Sequence, residues 1–433
     1  MVVSFLLAIS VGTVLLWLPW SSVEGEDTDF LTAAFSATSA VCVTGLSVVD
    51  VGSHFSGFGQ AVLVVLAQLG GLGFMTLASL IAMLVSARLG LRMTLAATTE
   101  RRTLALGDVR AVLRGVAVVT LVMELVVAIV LVVRFRFAYD YPWDDSVWHG
   151  VFHSVMAFNN AGLSLYSDSF NSFATDPVVT SALMLSVIVG GLGFPVLVDL
   201  YQQRRRGWRR LTLHSRLTIA ATVLLLIGGF ALFTLFEWGN EGTLGTYGSI
   251  EKLWIGTFGS VTPRTAGFHT VSPGAMTDEG LLSTMALMLI GAGSAGTSGG
   301  IKVGTFALLA MVVFAELRGD RDVEAFGRRI PESVQRQAMT VVLLAIAVVA
   351  LATIGLLFVT DLPLDAVAFE SVSAFGTVGL STGITADLPA SGRLMMMLVM
   401  LIGRLGPVTL GTAMVLRFRT ARIRHPEEAP LIG

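Results

Sequence analysis

The stretch FESVSAFGTVGL, Phe369–Leu380, decides the reading of this chain because it occurs in four versions. The others are FSATSAVCVTGL at Phe35–Leu46, FHSVMAFNNAGL at Phe152–Leu163 and FGSVTPRTAGF at Phe258–Phe268. Each opens on Phe, places Ser one or two positions later, and closes on a glycine followed by a large apolar residue. The glycines are Gly45, Gly162, Gly267 and Gly379. They recur about every 110 residues, which is the mark of an internally repeated unit.

A second glycine-bearing apolar stretch follows each copy, about 25 residues on. These are Gly70-Gly71-Leu72-Gly73-Phe74, Gly190-Gly191-Leu192-Gly193-Phe194, Gly291-Ala292-Gly293-Ser294 and Gly403-Arg404-Leu405-Gly406. Between copies run Gly115–Val133, Leu217–Phe236 and Met339–Val359. Each approaches or exceeds the roughly 20 apolar residues that cross a bilayer core. The chain is 54% hydrophobic and 13% charged, against about 25% charged in soluble domains. Each unit therefore reads as span, short glycine segment, span. The boundaries fall at residues 1–90, 91–205, 206–318 (with a broken second span) and 319–433 (with a short cytoplasmic tail). Met1–Trp20 shows no cleavage site and reads as a retained first span. It opens without a basic flank, which leaves room for a start further upstream.

The short segments Phe30–Ala40, Val147–Phe158, Ile250–Val261 and Ala366–Phe375 cannot cross and read as re-entrant helices. Asp29, Asp145 with Ser146, Ser249, and Asp365 are the expected helix starts. The expected fold is thus an all-α integral membrane protein with eight spans and four re-entrant pore loops around a central pore. Arginines fill the inter-repeat loops and the tail, among them Arg88, Arg101, Arg204, Arg209, Arg318, Arg328 and Arg417. A basic face also suits nucleic acid, but in an apolar chain it sets orientation: the arginine face is cytoplasmic. Both termini are then cytoplasmic in the cell membrane, with lipid as a partner and no nucleic acid. The opposite face carries Glu24, Glu26, Asp27, Asp29, Asp140, Asp144, Asp145, Asp278, Glu279 and Asp361. These suit a cation-concentrating vestibule, or are simply solvated loop charges and caps.

Irregular backbone at membrane depth is tolerated only inside protein or along a wet path. Four such loops around one axis would present carbonyls that replace the hydration shell of a monovalent cation. Glycine permits the positive φ that lets successive carbonyls point one way. The C-terminal ends of short helices aimed at the axis add partial negative charge.

These loops resemble those of the Ktr/Trk/HKT superfamily of potassium transporters. The likeness covers nearly the whole chain and is most specific at Ser39–Asp50, Thr262–Val271, Gly291–Thr305 and Ser373–Thr385. It implies four M1–P–M2 units around one pore. Entering its first pore unit at once, the chain looks like the Ktr-type membrane subunit. The resemblance places ion-binding carbonyls at Val43, Thr44, Gly45; Asn160, Ala161, Gly162; Thr265, Ala266, Gly267; and Thr377, Val378, Gly379. Glycine at position 45 goes with potassium preference, serine there with sodium in plant relatives. The loop Asn159-Asn160-Ala161-Gly162 departs furthest from the Thr-Val-Gly pattern of Thr377–Gly379. The resemblance further implies sodium-stimulated potassium uptake, a homodimer with one pore per protomer, and a ring of cytosolic nucleotide-binding regulatory subunits. Potassium is the substrate, sodium a second ion, and no organic cofactor is expected in the chain.

Gly291–Gly300 places Gly291, Gly293, Gly296, Gly299 and Gly300 with Ser294, Thr297 and Ser298 where a span should continue. That composition unwinds a helix; the alternative is a close-packed kink. The resemblance makes it a gating loop, with Lys302 closing it. Arg404 sits mid-span, where a charge is functional by default. It either faces the pore against this loop, as the resemblance implies, or pairs with Glu124. Cys42, the single cysteine, reads as a small buried group, and His153 and His269 have no second ligand at metal spacing. Two rivals are weaker. Gly296-Thr297-Ser298-Gly299 matches an intramembrane serine protease pattern, but a base within reach is needed. An inverted-repeat transporter fits poorly with successive units that all start inside.

Overall fold

A computed structural model describes residues 2–23, 27–72, 106–205, 207–320 and 322–416; side chains of 106–113 and 407–416 are not described. The expected vestibule acids Glu24 and Glu26, the loop arginines Arg88 to Arg102, and the tail from Arg417 lie outside the described residues. The protein is helical, with one two-stranded hairpin, β1 (Glu324–Ala325) and β2 (Arg328–Arg329), that the all-α expectation lacked.

The helices are α1 (Val2–Trp17), α2 (Phe30–Cys42), α3 (Val51–His54), α4 (Gly57–Leu72), α5 (Leu106–Ala138), α6 (Trp143–Asn159), α7 (Pro177–Leu192) and α8 (Phe194–Gln203). Then follow α9 (Leu213–Glu237), α10 (Ser249–Val261), α11 (Asp278–Leu289), α12 (Val303–Arg318), α13 (Glu332–Val359), α14 (Leu364–Gly376) and α15 (Ala390–Leu416). Among the described residues three helices are long and apolar enough to cross a membrane: Arg114–Ala138 within α5, α9 and α13. The pair α7 and α8 makes a fourth span if taken together, but it is bent by 94°.

The four short helices α2, α6, α10 and α14 lie over the four copies of the motif. Their opening phenylalanines Phe35, Phe152, Phe258 and Phe369 are all buried. Each short helix packs on the long helix before it: α1 on α2, α5 on α6, α9 on α10 and α13 on α14. Further helix contacts close a circle. Helix α7 meets α10, α11 meets α14, and α15 meets α2; α4 and α6 meet where Trp148 Nε1 donates to Gln60 Oε1 at 2.6 Å.

Helix starts follow the expected chemistry in one case of four. Asp29 accepts from the Leu31 N–H and caps α2. The others begin earlier than their acids suggest. Pro142 precedes α6, Gly248 precedes α10 and Pro363 precedes α14. Proline just ahead of a helix has no N–H to leave unsatisfied, so Asp145 and Asp365 become first-turn charges that favour the positive helix end. At α10 the Glu251 carboxylate accepts from the Gly248 N–H at 2.9 Å.

Two spans are broken. Between α11 and α12 the backbone leaves the helix from Ile290 to Lys302, as its glycine content predicts. Ile290 and Ile301 pair as a parallel bridge and the Val303 N–H donates to Ala292 O at 3.0 Å, so the loop doubles back on itself. The bend at Gly193 is an addition that composition did not reveal. Gly193 has φ +90° there.

Candidate functional site

The four short helices deliver their C-terminal ends to one place. Gly45, Gly162, Gly267 and Gly379 have φ of +96°, +64°, +77° and +93°. A Cβ on Gly45 would lie 2.6 Å from Ala161 O, one on Gly162 3.1 Å from Ala266 O, and one on Gly267 2.5 Å from Val378 O. One on Gly379 would collide with Thr44 O. In each case the carbonyl just before one glycine lies against the preceding glycine in the circle. The register is identical at all four joints and the last joint closes on the first. Neither the closure nor the register is visible in one dimension.

The conformation that makes this possible uses a second residue per loop. Val43, Asn160, Thr265 and Thr377, each two positions before its glycine, have φ of 56°, 58°, 76° and 50°. A left-handed residue that is not glycine costs about 1–2 kcal/mol, and three of these four are β-branched. Each loop thus has two left-handed residues, two positions apart. Short-helix carbonyls are capped as the chain leaves: Thr44 N–H donates to Ser39 O, Ala161 N–H to Met156 O and Val378 N–H to Ser373 O, at 2.8, 2.8 and 2.9 Å. The third loop differs, with Ala266 N–H donating to Thr262 O at 3.0 Å.

The loops are not equivalent. In the first and fourth, Ser39 Oγ accepts from the Gly45 N–H at 3.0 Å and Ser373 Oγ from the Gly379 N–H at 3.1 Å. The second loop is instead tied to the third, Asn160 Nδ2 donating to Thr265 Oγ1 at 3.1 Å.

All four glycines line one outer cavity of about 440 Å³. Its acids are Asp50 and Asp168. The described vestibule candidates Asp27, Asp29, Asp140, Asp144, Asp145, Asp278, Glu279 and Asp361 do not line it; Asp29, Asp144 and Asp145 sit at the starts of short helices whose far ends reach the glycines. His269 also lines this cavity, and burial pulls its imidazole down to about 4. Cys42, the last residue of α2, is a free, fully buried thiol directly before the first loop. Among the described residues no group of three or more His, Cys, Asp or Glu could hold a metal.

On the other side of the ring lies the 291–302 loop. A Cβ on Gly299 would strike the Thr377 side chain, and one on Gly300 would come within 3.3 Å of Gly376 Cα. Arg404 is buried at 3% exposure. Its Nη1 donates to Thr297 O and its Nη2 to Gly70 O, the latter at 2.8 Å. One guanidinium therefore joins α15 to the 291–302 loop and to α4. Glu124, the alternative partner, accepts from Asn159 Nδ2 at 3.3 Å. Lys302 Nζ donates to Ser298 O and Gly299 O, folding the loop over its own ammonium. Ser298 Oγ has no hydrogen-bond partner among the described residues.

Residues 1–423 match the family model described as TrkH, cation transport protein. The chain belongs to the TrkH family. It is a multi-pass membrane protein. It is 37% identical over 433 residues to the Ktr system potassium uptake protein B of Bacillus subtilis (strain 168), covering 100% of this chain and 95% of the relative. The protein of the same name from Vibrio alginolyticus is 38% identical over 431 residues, covering 99% and 93%. The potassium/sodium uptake protein NtpJ of Enterococcus hirae is 35% identical over 437 residues, covering 99% and 95%. In fold, the chain resembles the potassium transporter TrkH from Vibrio parahaemolyticus, with a TM-score of 0.72 at 18% identity over 97% of this chain and 86% of that one.

Two residues of this TrkH-family chain act on the loops without having been singled out for it. Each follows the opening phenylalanine of its motif. Glu370 is fully buried and accepts from Ser381 Oγ, and from Thr385 Oγ1 at 3.1 Å. His153 Nε2 accepts from the Leu165 N–H at 3.2 Å and meets Ser164 Oγ at 3.3 Å. Both reach the segment just after a glycine and hold it. The signal was present in the alignment of the copies, where Ser36, His153, Gly259 and Glu370 occupy one column of otherwise small or apolar neighbours.

Proposed function

We propose that this chain takes up potassium across the cell membrane through the ring of four glycine loops. The observation that carries the reading is the closed circle of glycines in one register, each with positive φ and each facing a neighbour's carbonyl. Backbone carbonyls of residues 43–45, 160–162, 265–267 and 377–379 then replace the water around a bare monovalent cation. The helix ends that deliver them contribute partial negative charge, and Asp50 and Asp168 raise the local cation concentration at the mouth. The relatives named for potassium uptake point to the same ion.

In this reading the chain is four M1–P–M2 units, 1–90, 91–205, 206–318 and 319–433, with eight crossings and both ends in the cytoplasm. The 291–302 loop, held by Arg404 and Lys302, is the gate. Its cationic side chains sit against the pathway and oppose passage until the loop moves. A homodimer on a cytosolic nucleotide-binding ring supplies control, and sodium stimulates transport. Expressed in a strain without potassium uptake of its own, together with a suitable regulatory partner, the chain restores growth on low potassium. A well-expressed chain that left growth and potassium content unchanged would sink the reading.

A second reading, a less selective sodium and potassium pathway or symporter, is favoured by one observation. The second loop lacks the serine brace of the first and fourth, and NtpJ is named for both ions. Comparing initial potassium and sodium uptake rates in the same cells separates the two.

A further inference from the structure

The break at Gly193 gives α8 a position that the transport reading does not use. Helix α8 runs at 94° to α7. Its depth is fixed by α9, a membrane-crossing helix whose first turn is tied to the middle of α8. Asp199 accepts from the Thr212 N–H and from Thr212 Oγ1, both at 2.9 Å. Thr212 caps the start of α9. A helix perpendicular to one span and level with the end of another lies along the membrane boundary.

The composition of α8 and the residues after it suits that boundary. Phe194, Val196 and Asp199 are turned inward, while Tyr201 and Trp208 are 69% and 44% exposed. Aromatic rings of this kind gather at the headgroup level. Arg204, Arg205, Arg209 and Arg210 are exposed, and the Arg204 guanidinium lies 4.2 Å from the Tyr201 ring centre. No Asp or Glu occurs from residue 200 to 236. An in-plane helix followed directly by exposed arginines and aromatics suits binding to anionic lipid.

The break itself is bonded to the 291–302 loop, the end of α7 by two backbone hydrogen bonds and the start of α8 by one. Gly293 N–H donates to Gly191 O at 2.8 Å, Thr297 N–H to Gly190 O at 3.2 Å and Phe194 N–H to Ala295 O at 3.3 Å. Three backbone bonds across the break join the two interrupted spans into one unit. There is no room for side chains there: a Cβ on Gly193 would strike Ser294 O and one on Gly293 would strike Leu192 O. Movement of α8 therefore reaches the loop through Phe194 and the bend at Gly193.

We propose that α8 with Arg204, Arg205, Arg209 and Arg210 is a docking element for anionic phospholipid headgroups, and that lipid bound there sets the position of the 291–302 loop. The first half stands on the geometry of α8; the second rests on the reading of that loop as the gate of a potassium pathway.

The test uses the full chain in vesicles of phosphatidylcholine, alone or with phosphatidylglycerol. Cys42 is fully buried, so Gln202→Cys offers a single accessible thiol for a spin label. We expect the label at headgroup depth, more immersed and less mobile when phosphatidylglycerol is present. We expect potassium flux to rise several-fold in the same vesicles. Each arginine near an anionic surface is worth about fivefold in binding. The combined substitution Arg204→Gln, Arg205→Gln, Arg209→Gln and Arg210→Gln should therefore abolish both responses while flux in phosphatidylcholine persists. A label indifferent to phosphatidylglycerol overturns the proposal, and so does a combined variant that responds like the wild type. The latter would leave the arginines to a cytosolic protein partner. A label that responds in vesicles showing no potassium flux at all overturns the pathway reading and the coupling, and leaves the lipid docking intact.

Discussion

Replacing Gly45 by serine should cost this chain its potassium uptake. Two contributions can be read from the structure. At φ +96° a residue with a side chain is strained by about 1–3 kcal/mol. The new Cβ would also sit 2.6 Å from Ala161 O and 2.7 Å from Gly162 Cα. Carbon atoms settle at about 3.5–4.0 Å from one another, so the first and second loops must part by roughly 0.8 Å or more. That displacement moves a carbonyl that would coordinate the ion. The circle is closed, so it propagates to the third and fourth joints. If only about 1.4 kcal/mol of this raises the barrier for potassium, uptake falls tenfold. The expected result is at least a tenfold drop in the initial rate of potassium uptake, with a lower ratio of potassium to sodium. Membrane protein level, followed by immunoblot, should stay within about a factor of two. Gly57→Ala is the control: nothing lies within 4 Å of its Cβ, and uptake should not change. Wild-type uptake with an unchanged ion ratio in Gly45→Ser would refute the argument, since the contact and the strain are both unavoidable in the geometry described.

Other expectations follow from neighbouring contacts. Arg404→Ala removes the donors to Thr297 O and Gly70 O and should raise potassium flux several-fold in vesicles without any regulatory partner; a flux equal to wild type would count against the loop as a gate. Deleting residues 293–298 should act in the same direction. Glu370→Ala removes the acceptor of Ser381 and Thr385; the two hydroxyls also meet each other at 2.9 Å, so one donor is left unpaired at about 1–3 kcal/mol, and the change should lower both the melting temperature and the potassium-to-sodium ratio, with Glu370→Gln intermediate. His269 has its imidazole held at about 4 by burial, below the ordinary value of about 6.5. The unfolded chain therefore takes up the proton first as pH falls through that window, and the protein loses stability between about pH 6.5 and pH 4. Inactivation in detergent should speed up over that range, less so in His269→Gln, whereas uptake between pH 7 and pH 8 should not depend on this residue. Ser298→Ala should leave uptake intact.

The helical plan of the chain could be read in one dimension because membrane burial imposes long apolar runs, and repetition of a motif exposes its unit. The four short helices lie within a few residues of where the motif copies place them. The interruption at 291–302 was visible because five glycines in ten positions cannot hold a helix. Helix starts were read less well, since Asp145 and Asp365 look like caps and the prolines before them do the work of beginning the helix. The break at Gly193 went unseen. Gly190-Gly191-Leu192-Gly193 resembles Gly70-Gly71-Leu72-Gly73 residue for residue, and the bend at Gly193 goes with its packing against the 293–297 backbone.

The sequence by itself determined that four glycines occupy equivalent positions at the ends of four short helices, because local backbone preference and apolar periodicity act along the chain. Tertiary structure alone decided that these glycines form a closed circle in one register. It alone revealed that Val43, Asn160, Thr265 and Thr377 share the left-handed turn, and that Arg404 reaches across to Thr297 and Gly70. Those are contacts between residues about 100 to 330 positions apart. Their geometry is set by how the units pack around an axis, a constraint no single segment carries.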